Sequence, residues 1–160
     1  MRSGGPDEDA PPTAATGATG GPPGPCVFAK AVFLGVAACG AARREDRAEG
    51  SRQVCTRPLA QANCALLLDL LRERARFALH LPGPDQALRH QQALQLQCGG
   101  LGALQQVMAA DALGQSVPVP DVAGLVALAQ ARHGSLTELP WPALVAGAAA
   151  WPVRRRHRPR

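Results

Sequence analysis

Between Pro58 and Leu81 the apolar residues recur at the spacing of one helical face: Cys64, Leu67, Leu68, Leu71, Ala75 and Ala78 lie on it, and Asp69, Arg72, Glu73 and Arg76 fall mainly off it. This spacing predicts a long helix that opens at Pro58, where a missing N–H costs little, and stops at Pro82-Gly83-Pro84. A shorter stripe, Phe28, Val32, Gly35 or Val36, and Cys39, predicts a first helix ending near Gly40. From Ala41 to Gln53 the chain is dense in charge and carries no stripe, which reads as a surface connection. Beyond the proline turn, Asp85 is a candidate cap, and Leu94, Cys98, Leu101, Leu104 or Gln105, and Met108 share one face if a helix continues through Gly99-Gly100. Two adjacent glycines cost about 1 kcal/mol each in a helix interior, so a break or a close backbone approach competes with continuation there.

After a proline-rich turn at residues 115–120, Asp121 is placed to cap a helix running to about Arg132 and closed by Gly134. A final helix is expected after Leu139-Pro140, stopping before Pro152. No run of useful length alternates with the two-residue period of a strand. The expected fold is therefore all-α, a small domain of about four to five helices spanning residues 26–153. In front of it, residues 1–25 are rich in Gly, Pro, Ala and Thr and hold almost nothing large and apolar, so a disordered leader is expected.

Composition changes this picture in two places. The chain has three Phe, two Trp and no Tyr, so Leu, Val and Ala must supply most of the burial, and a domain built this way gains from a staple. Its net charge of +5 invites a nucleic-acid reading, yet five of the seventeen basic residues, Arg154, Arg155, Arg156, Arg158 and Arg160, lie in the tail 154–160. The remainder holds twelve basic and twelve acidic residues. The body is neutral, and an anionic partner, whether another protein or nucleic acid, is expected only at the tail; another protein is favoured.

Five cysteines are an odd number, which argues against a disulfide framework and for a cytoplasmic thiol set. Cys39, Cys55, Cys64 and Cys98 are the candidate metal ligands: Cys39 and Cys98 adjoin glycines at expected helix ends, Cys55 precedes a helix and Cys64 lies on an inward face. Four thiolates gathered by three helices would suit a [4Fe–4S] cluster or tetrahedral Zn²⁺. Cys26 is left out because it sits at the edge of the leader. The spacing matches no knuckle or ferredoxin pattern, so inert core thiols and thiol–disulfide chemistry stand as alternatives.

The leading expectation is thus a small, non-catalytic metal- or cluster-binding protein serving electron transfer or assembly. Its rivals are a helical interaction module with buried thiols and an Arg-rich tail, and an exported lipoprotein cut before Cys39, whose preceding Val36-Ala37-Ala38 looks like a lipoprotein signal. No stretch approaches the roughly 20 apolar residues of a membrane span. His80, His90 and His133, the Arg43/Arg44/Arg47 group beside Glu45 and Asp46, and Trp141 and Trp151 have ordinary surface or packing explanations. No nucleophile elbow, phosphate loop, dinucleotide fingerprint or zinc-protease motif is present, so nothing speaks for catalysis.

Overall fold

The computed structural model describes residues 22–109 and 119–152. Most of the expected leader, the first part of the turn at residues 115–120 and the basic tail lie outside the described residues. The chain runs β1 (Gly24–Pro25), α1 (Ala29–Phe33), β2 (Ala42–Arg47), β3 (Gly50–Cys55), α2 (Pro58–Arg74), α3 (His90–Leu94), one π-helical turn (Gln95–Gly99), α4 (Gly100–Met108), α5 (Val122–His133), a 3-10 turn (Leu136–Glu138) and α6 (Trp141–Ala150).

The fold is mixed α and β, which corrects the all-α expectation: three antiparallel strands form a sheet in the order β1-β3-β2. The stretch read as a surface connection is a hairpin that reverses at Ala48-Glu49, with Arg47 opposite Gly50, whose φ of +122° favours glycine. Hydrophobic alternation is missing because most of the hairpin faces water on both sides. Only its end, Val54 and Cys55, is buried. Along the exposed part the strands are joined by charge: Glu45 accepts from the Arg52 guanidinium directly across the sheet, and Arg43 and Arg47 flank it.

The first helix is also shorter than its stripe. It holds five residues, and Gly35, at φ +69°, turns the chain away from it. The α2 helix begins at Pro58 as the sequence predicts and ends at Arg74, several residues before the expected stop. The turns that follow are held by Arg72, whose guanidinium donates to the carbonyls of Gly83 and Gln86. Asp85 caps nothing there; α3 starts at His90, and the Gln92 side chain accepts from the Arg89 N–H.

Through Gly99-Gly100 the chain stays helical and also makes the close approach. An added Cβ on Gly99 would stand 2.8 Å from the Ala148 Cα of α6, and one on Gly100 would stand 2.8 Å from Leu71 Cδ1 of α2. Leu67, Leu71, Leu96, Leu101, Leu104 and Leu144, all fully buried, make the centre of the main core. A second, small cluster of Ala41, Cys55 and Ala123 joins the end of the sheet to the start of α5.

The α5 helix follows its sequence signals. Asp121 accepts from the Gly124 N–H at 3.2 Å, and Gly134 closes the helix at φ +77°. The other Asp121 oxygen accepts from the Gly40 N–H at 3.2 Å, so one carboxylate both caps α5 and ties down the loop that carries Cys39. Asp121→Ala removes both bonds, and a loss of about 1–2 kcal/mol is expected in denaturant unfolding. An unchanged midpoint would show that neither bond contributes.

Among the described residues no helix is long and apolar enough to cross a membrane. Phe28, Ala31 and Ala37 belong to the core, so cleavage before Cys39 would take three core residues away.

Candidate functional site

Four cysteines arrive at one place by four different routes. Cys26 follows β1, where its N–H donates to the Gln53 carbonyl of β3 at 3.0 Å. Cys39 sits in the loop between α1 and β2, fixed by the Ala42 N–H bond to its carbonyl and by the neighbouring Gly40–Asp121 bond. Cys55 ends the central strand, opposite Gly24 on one side and Ala42 on the other. Cys64 lies on the inward face of α2.

All four line one small cavity of about 10 Å³, room for about one water molecule. The rest of its wall is mostly apolar, with Phe28, Ala60, Val122 and Ala123 among the contributors. Gln61 also lines it, and its Nε2 donates to the Pro25 carbonyl at 2.7 Å, holding β1 against α2.

The electrostatics follow from this crowding. Burial, strengthened by the neighbouring thiols Cys39, Cys26 and Cys55 and by the Asp121 carboxylate, pushes the Cys64 thiol up to about 12. Cys26 is also raised, chiefly by burial and further by Cys39 and Cys55, against a lowering hydrogen bond from the Phe28 backbone. Cys39 is the thiol that acts most strongly on both. The Cys55 thiol donates to the Arg57 carbonyl at 3.3 Å. All five cysteines are free.

Cys39 has a second exposure. It also stands on the wall of an open groove of about 720 Å³ whose other lining residues include Val32, Ala38, Arg44, Gln53 and Val119. The floor of the groove is pinned by backbone bonds between the Val36–Ala38 stretch and Val119: the Ala38 N–H donates to the Val119 carbonyl at 2.8 Å, and the Val119 N–H to Val36 at 3.0 Å. Cys39 therefore lies between outside and inside, half-buried and shared by groove and cavity.

Of the four expected ligands, Cys39, Cys55 and Cys64 come together and Cys98 does not. Cys98 belongs to the π-helical turn, which packs on α6, and its thiol is raised by burial alone, with no other cysteine acting on it. Among the described residues no group of three or more His, Cys, Asp or Glu side chains is placed to hold a metal ion. The expected ligand set of Cys39, Cys55, Cys64 and Cys98 is therefore not assembled as a set of four, and the zinc or iron–sulfur expectation gains no support from the described residues. Its physical error was to equate an inward helical face with a shared destination, since Cys64 and Cys98 both point inward at different places.

The residue that sequence reasoning missed is Cys26. Its signal was the pair Val27-Phe28 directly after it, the first large apolar residues after Met1, which mark the start of the fold. No protein-family model, no curated protein and no solved structure matches this chain.

Proposed function

We propose that this domain is a dithiol–disulfide protein in which Cys39 is the outer, attacking thiol and Cys64 the inner, resolving one. The observation that carries this reading is the position of Cys39, which shares one wall with an open groove and another with a cavity holding three more thiols. The Cys39 thiolate attacks one sulfur of a small-molecule disulfide, the external S–S bond breaks, and one thiolate leaves and takes up a proton. Cys64 then gives up its proton and attacks the Cys39 sulfur, releasing the second thiol. Two electrons pass from the protein to the external disulfide, and two protein S–H bonds become one S–S bond.

Because the Cys64 thiol holds its proton at neutral pH, its attack on the Cys39 mixed disulfide is the slow step and speeds up as pH rises. Because both protons leave with the two electrons, the midpoint potential falls by about 59 mV per pH unit while both thiols are protonated. An acidic or nucleic-acid partner for the Arg154–Arg160 tail is a separate expectation, on residues outside those described.

The test is equilibration of the full chain in glutathione buffers of graded potential, followed by acid quenching, alkylation and peptide mapping. A Cys39–Cys64 crosslink with the loss of two hydrogens is expected, and it disappears in Cys39→Ser. Five free thiols at every potential, or a pairing that excludes Cys39, sinks the reading. So does purified protein whose thiols are already occupied by stoichiometric zinc or iron.

A further inference from the structure

The groove outside Cys39 has a composition that selects among disulfides. At about 720 Å³ it falls in the range of small-molecule sites, large enough for a disulfide bearing a short peptide on each sulfur. Its walls are mainly small and apolar, Val32, Ala37, Ala38 and Val119 among them. Among the described residues Arg44 is the one charged side chain that lines it, and no carboxylate does. Gln53, across the hairpin from Arg44, adds an amide able both to donate and to accept.

Arg44 is also held in place. Its Nη2 donates to the Ser51 hydroxyl at 2.6 Å and its Nε to Asp46 at 3.3 Å, while Ser51 in turn donates to the same Asp46 oxygen. Ordering a long side chain before a ligand arrives removes part of the entropy cost of binding. Asp46 opposes this by partly neutralising the guanidinium, although it is not among the groove-lining residues.

From this juxtaposition we infer that the groove admits an anionic low-molecular-weight disulfide, a peptide-type disulfide carrying carboxylates, with Arg44 receiving one carboxylate and Cys39 facing the S–S bond. The inference rests on the dithiol–disulfide reading and names its substrate class. A cationic disulfide of similar size meets the same thiol with no complementary charge, so the pair separates recognition from reactivity.

The experiment measures the rate of mixed-disulfide formation at Cys39 in the full chain by quenched mass spectrometry, using glutathione disulfide and cystamine as the two probes. The wild-type protein should favour glutathione disulfide over cystamine, relative to their rates with free cysteine, by about fivefold, the size of one exposed ion pair. Arg44→Gln should abolish that preference, Arg44→Lys should keep most of it, and Asp46→Asn should enlarge it. The preference should also shrink as salt is raised. Ala38→Trp, at an exposed position of the groove wall, should slow both probes alike. Equal relative rates for both probes in wild type, or a preference that survives Arg44→Gln, overturns the groove assignment while leaving Cys39 as the attacking thiol. No adduct at Cys39 with either probe overturns the dithiol–disulfide reading beneath it.

Discussion

Raising the pH from about 9 to about 12 is expected to cost the reduced protein about 4 kcal/mol of stability, an effect carried mainly by one buried thiol. In the unfolded chain Cys64 ionises near the ordinary thiol value of 9.0, whereas in the fold it holds its proton to about 12. Across that window the folded state binds a proton that the unfolded state has lost, so unfolding stability falls as pH rises, by about 1.4 kcal/mol per pH unit. Below about pH 9 both states are protonated and the contribution is present in full. Cys26 and Cys98 shift in the same direction and steepen the fall. The sequence makes the measurement clean, because the chain has no tyrosine and Lys30 is its one lysine, leaving few other groups to titrate there. Urea unfolding under strong reductant at stepped pH should show the decline, and Cys64→Ala should flatten most of it. A wild-type profile that stays level to pH 11 would mean that Cys64 is not enclosed as described.

The α5 helix and the start of α2 were legible because their signals are local. Asp121, Gly134 and Pro58 act through the backbone within one turn of themselves, and nothing distant has to be known to place them. The hairpin was not legible by the same means. Its stabilising pairs, such as Glu45 with Arg52, become neighbours only after the chain reverses at Ala48-Glu49, and before that they read as a charged connection. The first stripe, Phe28 to Cys39, was a poor guide both to burial and to conformation: of its members Phe28 alone is fully buried, Val32, Val36 and Cys39 are half-buried and Gly35 is exposed, while the buried Ala31 and Ala37 were not on it. Phe28, Ala31 and Ala37 do enter the core, but beyond Gly35 they do so from a turn and not from a helix.

The site shows the same division. Burial of Cys64 and Cys98 could be read from helical periodicity, yet periodicity says which way a side chain points and not which other elements lie there. Convergence depends on the sheet, and the sheet was the element that periodicity concealed. Cys55 reaches the cavity because it ends β3, and Cys26 because a two-residue strand and one backbone bond to Gln53 hold it beside β3. The leader before Cys26 is poor in large apolar residues, and the one signal of that attachment was the Val27-Phe28 pair after it. The thiols that meet are thus the ones arranged around the end of the sheet, and the one left out lies on a helical turn elsewhere.

Substituting the glycines that follow Cys98 one at a time should give effects of opposite sign, although all three sit in helical backbone. In solvent-facing helix, Gly→Ala stabilises by about 0.5–1 kcal/mol through lost unfolded-state freedom and better propensity. Gly102 has nothing within 4 Å of its added Cβ, so Gly102→Ala should gain that amount. At Gly99 the same methyl meets the Ala148 Cα at 2.8 Å and the Ala148 carbonyl oxygen at 3.0 Å, both backbone atoms that cannot swing aside. Overpacking of about 1–3 kcal/mol then outweighs the propensity gain, because α6 must move away as a unit and the same crossing leaves no room for a side chain on Gly147, whose added Cβ would meet Ala103. Gly100 falls between the two, since the atom it meets is the end of Leu71, a side chain that has rotamers but little free space. Thermal unfolding under reductant reads all three, at about 2–4 °C per kcal/mol for a chain of this length. Gly102→Ala should melt a few degrees above wild type and Gly99→Ala several degrees below it. If Gly99→Ala melted at or above wild type, the π-helical turn would not lie against α6, and the separation of Cys98 from the other thiols would lose its structural cause.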